Sequence, residues 1–260
     1  REFDDAILLM DTRKTTSAGQ DGADRYNDDR LRKCSRESGQ PILAIRATHS
    51  KPKGVDAAKM DPDDFHGLPS TLSLCVGARV LLTLNLCVEA GLVNGAAGYV
   101  RGFAFPRDFD PNCEDSKKAV PLCIIVEFDD VTFGSLPSGA QRSFFPGDAS
   151  MARWVPIFSS GPIACEADSE ITRDQFPLTL AWALTHWKAQ GMTLRRVRIC
   201  LRGPTAASPG VGYVAITRVK HPEHLLFEDD LPEWEVFQQA RSKPAFRQRR
   251  RMELRLAVQF

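Results

Sequence analysis

The stretch Phe176–Gly191, FPLTLAWALTHWKAQG, narrows the folds open to this chain more than any other. Its segment Leu178–Ala183 is apolar almost throughout. A strand with one wet face alternates, so an unbroken apolar run is expected where both faces are covered, as in a central parallel strand. Directly after it come Thr185, His186, Lys188, Gln190 and Gly191, a polar turn, and a helix is expected to start near Thr185. A strand feeding a helix through a short turn is half of a strand–helix–strand unit. The pattern continues downstream: Arg196–Leu201 reads as a strand, Gly212–Lys220 as a helix and His224–Phe227 as a last short strand. Near the start, Ala6–Met10 reads as a buried strand, Arg25–Ser35 as a polar, exposed helix and Pro41–Ala47 as a further strand. The two ends of the chain thus describe an α/β sheet.

The middle reads differently. Ser73–Leu86 is a strand with Gly77 as a turn or bulge, Val120–Phe128 is another, and Ser143–Val155 supplies one or two more. Between them lies Gly91–Val100, GLVNGAAGYV, where Asn94-Gly95 is the hairpin signal of a type I′ turn. Short strands separated by glycine turns imply a small closed barrel. The expected organisation is an α/β domain in two pieces, residues 1–70 and 161–232, with a barrel at 71–160 inserted between them and a basic tail at 233–260.

Composition sets a few bounds. Hydrophobic residues make up 43% of the 260, ample for a core. The net charge of +1 is silent about nucleic acid, but the tail gathers Arg241, Lys243, Arg247, Arg249, Arg250, Arg251 and Arg255 against Glu253. Such a block either attracts phosphate or is a solvated, disordered end. Seven cysteines with no C-x-x-C pair read as small buried thiols in a reducing compartment. His221 and His224, with Glu223 between them on a proline-containing turn, lack the further ligands of a zinc site. No apolar run approaches the roughly 20 residues of a membrane span, and no signal peptide pattern opens the chain. It starts at Arg1 rather than methionine, which reads as a fragment, a processed product or an incomplete gene model.

Four strings carry chemistry together: Val76–Leu82, VGARVLL; Gly91–Val100; Phe176–Gly191; and Tyr213–Val219, YVAITRV. In this order and spacing they resemble the C-terminal half of PIF-family DNA helicases, superfamily-one 5′-to-3′ motors related to RecD helicases and to those of Helitron transposons. The resemblance covers about Ala6 to Leu231. It implies a second RecA-like domain carrying an inserted small Src-homology-3-like barrel, working with a first RecA-like domain across an ATP cleft. It also implies a nuclear location and partners that include single-stranded DNA.

The resemblance carries over residue by residue. The family's T-x-H-K-x-Q-G pattern stands here as Thr185-His186-Trp187-Lys188-Ala189-Gln190-Gly191. Thr185 and Lys188 are the implied phosphate contacts, with His186 and Trp187 beside them on the DNA side. Gln190 and Gly191 would face the nucleotide, Gly191 because only glycine lets the backbone approach closely. The departure is at 187, where the family has histidine. Trp187 stacks on a base or is a buried core indole. Arg218 matches the arginine finger that neutralises charge on the γ-phosphate, the alternative being a surface arginine on an amphipathic helix. Arg13 and Asn27 flank the weakly matched fourth motif. Leu122–Asp130, LCIIVEFDD, imitates a magnesium-binding strand but lies within the barrel section and reads as a plain barrel strand.

One element of such a motor is missing from these residues. A phosphate loop needs G-x-x-x-x-G-K-[ST], and the chain has no Gly-Lys dipeptide. ATP and Mg2+ are therefore expected to act only in an intact motor, with the phosphate loop and the Mg2+ ligands supplied by a first domain. The rival readings are an ATP-independent single-stranded DNA-binding module, a relic of a mobile-element helicase, and an inactive structural fragment.

Overall fold

Ile7–Met10 forms a strand, β1, with all four side chains buried, and it organises one half of the molecule. The computed structural model describes residues 3–17, 19, 21–50, 56–107, 109, 120–131, 133, 143–201, 211–228 and 247–248. Apart from Arg247 and Gln248, the basic tail lies outside them. After β1 come α1 (Ala23–Ser38), β2 (Leu43–Arg46), β3 (Thr48–His49), β4 (Thr71–Leu74), β5 (Arg79–Leu82), β6 (Ala97–Ala104) and β7 (Cys123–Phe128). They are followed by β8 (Trp154–Ile157), β9 (Ile163–Ala164), β10 (Thr172–Asp174), β11 (Leu178–Leu180), β12 (Ala183–Thr185), β13 (Val197–Ile199), α2 (Val211–Ile216) and β14 (Leu225–Phe227).

Packing divides the chain into two units, Arg1–Asp28 with Trp182–Phe260, and Asp29–Ala181. The division falls inside α1 and inside the apolar run after Phe176. Residues 29–70 and 161–181 therefore pack with the middle section, whereas the sequence placed them with its flanks.

The first unit holds a parallel sheet in the order β12-β1-β13-β14. Leu8, Met10, Ala23, Ala183 and Cys200 form a buried cluster there, with Tyr26 packed against it. Burying a leucine of this kind contributes roughly 1.5–3 kcal/mol relative to leaving it in water. The helix α1 contains no glycine, proline or β-branched residue, so the strongest helix breakers are absent from it. Its buried positions Ala23, Asn27 and Leu31 recur every fourth residue as one stripe. Asn27 does more than fill space: its Nδ2 donates to the Ala183 carbonyl at 2.9 Å and its Oδ1 accepts from the Ala183 N–H at 2.8 Å.

The second unit holds an antiparallel sheet in the order β11-β5-β6-β7-β8. Among the described residues no ladder joins its edges β8 and β11. The strand Cys123–Phe128 is part of it, and Asp129 at its end pairs with Arg79 through both carboxylate oxygens. That segment is structural. The Asn94-Gly95 turn also differs from expectation. Ala96 N–H reaches the Val93 carbonyl at 2.9 Å, but of the two central residues only Gly95 has positive φ, 95°. A type I′ turn needs both. The connection from β5 to β6 runs through residues 83–96, too long for the tight hairpin that favours I′.

The apolar run Leu178–Ala183 is not one parallel strand. Its first part, β11, pairs antiparallel with β5, and Ala181 N–H still donates to the Arg79 carbonyl. From Trp182, whose carbonyl accepts from Leu8 N–H, the chain pairs with β1 as the parallel strand β12. Both pieces are buried, one in each sheet, so the apolar character continues through a change of sheet.

A second core lies under the short turns at 57–59 and 62–65, made by Ala57, Phe65, Leu68, Cys165 and Ile171. At its centre Arg173 is 0% exposed. Its guanidinium donates to the carbonyls of Leu68 (2.7 Å), Ala57 (2.7 Å) and Met60 (3.2 Å), and it lies 4.1 Å over the Phe65 ring. Its Nε donates to His49 Nε2 at 3.0 Å. That imidazole must therefore be neutral, with its proton on Nδ1. Burial first, then the Arg173 charge, hold His49 below its ordinary value of 6.5, against an opposing pull from Asp56. A group whose folded value is depressed binds its proton more readily when unfolded. Its contribution to stability is complete above about 6.5 and is lost as the pH falls through the folded value. The melting temperature is expected to fall on acidification from about pH 7 to about pH 5 more steeply than in His49→Gln, which keeps an acceptor and cannot titrate. Parallel pH profiles for the two proteins would show that His49 is not the group responsible.

Candidate functional site

The C-terminal ends of β12, β1 and β13 lie side by side in the parallel sheet, the edge at which α/β folds place their ligands. Thr185 is the last residue of β12, opposite Met10 of β1, and the next N–H, of His186, donates to the Met10 carbonyl at 3.1 Å. The chain then turns. Ala189 N–H reaches the Thr185 carbonyl at 3.2 Å, Gln190 N–H the Trp187 carbonyl at 3.1 Å and Met192 N–H the Ala189 carbonyl at 3.1 Å. The Thr185 hydroxyl accepts from Lys188 N–H at 3.2 Å and closes the turn from inside. No helix follows Thr185. Gly191 at φ +82° ends the turn before a helical ladder is established, since that backbone conformation interrupts a right-handed helix.

The structure separates the implied contacts. Trp187 is 59% exposed, which excludes a core indole and leaves its ring open to a ligand. Gln190 and Gly191 are exposed and Lys188 is half-buried. A Cβ built on Gly191 meets no atom within 4 Å, so the backbone there is open to close approach. His186 is different. It is 1% exposed, with Nε2 at 3.2 Å from both Asp11 Oδ1 and the Cys200 carbonyl. A side chain buried against the ends of β1 and β13 cannot touch DNA at the surface. Its assignment to the DNA side is corrected to a core role: it fixes the root of the turn while its neighbour Trp187 faces out.

Arg218 follows α2 and reaches back to this turn. Its Nε donates to the Val214 carbonyl at 2.8 Å, one terminal nitrogen to the Met192 carbonyl at 3.1 Å, and the other to Thr217 Oγ1 at 2.9 Å. Its own carbonyl accepts from Leu194 N–H at 2.7 Å. Thus Arg218 and the Thr185–Gly191 turn form one hydrogen-bonded assembly. A guanidinium has five N–H groups, and these bonds use three of them.

Asn27 is structural in this arrangement. Asn27 is spent on Ala183, as above, and Arg13 lies 3.8 Å from the Asp24 carboxylate near the start of α1. The His221 and His224 rings meet edge to face at 5.7 Å. Among the described residues no group of three His, Cys, Asp or Glu side chains is placed to hold a metal ion, and no helix is long and apolar enough to cross a membrane. Asp11, the buried partner of His186, was not singled out in the sequence. A lone acid just after a buried strand is common, and only the fold shows what it meets.

No protein-family model matches the chain. It is 32% identical over 169 residues to the ATP-dependent DNA helicase PIF7 of Trypanosoma brucei brucei, an alignment covering 62% of this chain and 16% of that protein. It is 34% identical to the ATP-dependent DNA helicase PIF1 of Danio rerio over 158 residues, 61% of this chain and 19% of the relative. The human PIF1 helicase gives 34% over 153 residues, 57% and 18%. The chain thus spans less than a fifth of these relatives' length. Among solved structures, the Pif1 helicase of Candida albicans matches with a TM-score of 0.55 at 22% identity, over 91% of this chain and 49% of that one. The Bacteroides Pif1 in complex with ADP-AlF4 gives 0.51 at 21% identity, over 93% and 46%. About 60% of the chain is homologous to PIF1-family ATP-dependent DNA helicases, and its mixed α/β fold with a parallel sheet matches theirs.

Proposed function

We propose that these residues supply the second motor domain of a PIF-type, 5′-to-3′ DNA helicase, with Arg218 as its arginine finger and Thr185, Trp187 and Lys188 as contacts to single-stranded DNA. In this reading the parallel sheet is the RecA-like part, and the antiparallel sheet of the second unit is the counterpart of the small inserted barrel. The observation that carries it is the bond from Arg218 to the Met192 carbonyl, which ties the finger to the turn that bears the DNA contacts. DNA displacing that turn then moves Arg218, and ATP engaging Arg218 moves the turn.

ATP fits the donor set on one side of this assembly: a guanidinium, the exposed amide of Gln190 and the open backbone at Gly191. When bound it would supply the phosphoryl group that is transferred to water. Arg218 would neutralise charge developing there, and Gln190 and Gly191 would orient the nucleotide. No residue here is assigned to Mg2+. The phosphate loop belongs to a first RecA-like domain acting as partner. On the other side, the Thr185 hydroxyl accepts from Lys188 N–H and keeps its proton to donate to a phosphate. Trp187 offers its face to a base, a contact worth roughly 1–3 kcal/mol in single-strand binders.

The test uses the 260-residue chain itself. It is expected to release no phosphate from ATP, with or without DNA. It is expected to bind single-stranded DNA with a log–log salt slope of about −0.7 per phosphate contact. Binding should quench the indole signal, and Trp187→Phe should remove that quenching while Trp154, Trp182 and Trp234 remain. DNA-stimulated turnover by the pure chain would show that no partner domain is needed. Binding that is absent at low salt, or indifferent to salt, would remove the DNA contacts from this turn.

A further inference from the structure

Two thiols far apart in sequence meet away from the site just described. Cys34 lies in the last turns of α1, half-buried. Its Sγ sits over the turn that joins β4 to β5, 3.9 Å from the Val76 carbonyl, and a Cβ built on Gly77 would lie 3.4 Å from it. Gly77, at φ +89°, lets that turn pass under the sulfur. Cys75, in the same turn, is 0% exposed, and the Cys34 sulfur is near enough to act on its thiol. Burial first, then the neighbouring sulfur, push Cys75 up to about 12, so alone it is an unreactive thiol. The pair is therefore asymmetric, with one sulfur within reach of solvent and one held behind it. Cys87 is the natural comparison: it is half-buried too, but its Sγ faces the Glu89 carboxylate at 3.6 Å.

We propose that Cys34 and Cys75 form a redox-active dithiol whose oxidant is a small hydroperoxide and whose product is a disulfide between α1 and the β4–β5 turn. In the first step the Cys34 sulfur attacks the terminal oxygen of the hydroperoxide. The O–O bond breaks, an alcohol or water leaves, and Cys34 becomes a sulfenic acid. In the second step the Cys75 sulfur attacks the Cys34 sulfur. The S–O bond breaks and the hydroxyl leaves as water with the Cys75 proton. Two thiols lose two electrons, and one hydroperoxide is reduced to an alcohol and water. The Cys34 sulfur already rests against the turn that carries Cys75, so the resolving thiol is at hand before the first step occurs. Sulfenic acid at Cys34 is then trapped as a disulfide before it can be over-oxidised. The cross-link closes a long loop, so it stabilises the folded state by restricting the unfolded one.

The experiment treats the full chain with hydrogen peroxide under native conditions, blocks free thiols and maps the peptides. A Cys34–Cys75 disulfide is expected, reversed by a thiol reductant, with a rise in melting temperature of roughly 5–10 °C in the oxidised form. Cys75→Ser is expected to stop at a Cys34 sulfenic acid that dimedone captures, and Cys34→Ser to leave Cys75 unmodified. Cys87 should react alike in all three proteins. If the parent chain forms no Cys34–Cys75 link, or Cys34 proceeds to sulfinic acid at the same rate with and without Cys75, the dithiol is overturned. Should Cys75→Ser fail to fold, the peptide map of the parent chain decides alone.

Discussion

Arg218→Ala is expected to lower kcat for DNA-stimulated ATP hydrolysis about 100-fold or more, once the chain is joined to a first motor domain that carries a phosphate loop. A finger acts on charge that develops in the transition state, so kcat should fall while affinity for single-stranded DNA changes little. The geometry adds a second requirement. Arg218 also donates to the Val214 and Met192 carbonyls, and its loss frees the turn at one point. Trp187 quenching by DNA separates the two roles. Unchanged quenching with lost turnover assigns Arg218 to the phosphate. Loss of both in parallel makes it a strut for the turn, and equal activity in mutant and parent makes it a surface residue. Arg218→Lys should recover little, because one ammonium cannot hold two carbonyls and face an anion together.

Arg173→Ala is expected to lower stability by roughly 3–5 kcal/mol. It would lower the melting temperature by about 6–20 °C at the usual sensitivity for chains of this size. Three carbonyls, of Leu68, Ala57 and Met60, and the ring nitrogen of His49 lose their donor together, in a place water cannot easily reach. A void over Phe65 adds to the loss. Arg173→Lys keeps the charge but not the forked donors, and belongs between the two. A fall of less than about 1 kcal/mol would mean that the 57–68 stretch finds other donors or admits water.

The elements legible in the sequence were those whose pattern is local. Ala6–Met10 is a short apolar run between charges, Arg196–Leu201 opens with arginines alternating with Val197 and Ile199, and both hold strands of the parallel sheet. Arg25–Ser35 lies within the helix α1, whose buried stripe is narrow enough to pass for an exposed surface. Leu178–Ala183 misled because hydrophobicity records burial and not which sheet does the burying. The change of sheet at Ala181–Trp182 carries no glycine or proline to mark it. In the site, the turn Thr185–Gly191 and Arg218 were legible as motifs, but the bond that joins them was not, because it runs to a main-chain carbonyl. His186 was misplaced because a polar residue in a polar turn looks exposed, and its partners Asp11 and Cys200 come from other strands. Arg173 left no trace at all. Three of its acceptors are main-chain carbonyls, which every residue possesses, and the fourth is a histidine 124 residues away.

Asn27 has a consequence for the sheet it touches. The strand β12 is the outer strand beside β1, and an outer strand offers its N–H and C=O groups to any other chain in search of a partner. At Ala183 the side-chain amide of Asn27 takes both groups, with the donor and acceptor arrangement of a peptide bond. It takes the place of one residue of a neighbouring strand, which the described residues do not supply. Among the described residues the sheet is thereby closed at Ala183 by a side chain from its own helix, which leaves those two groups unavailable to another chain, two residues before the turn begins.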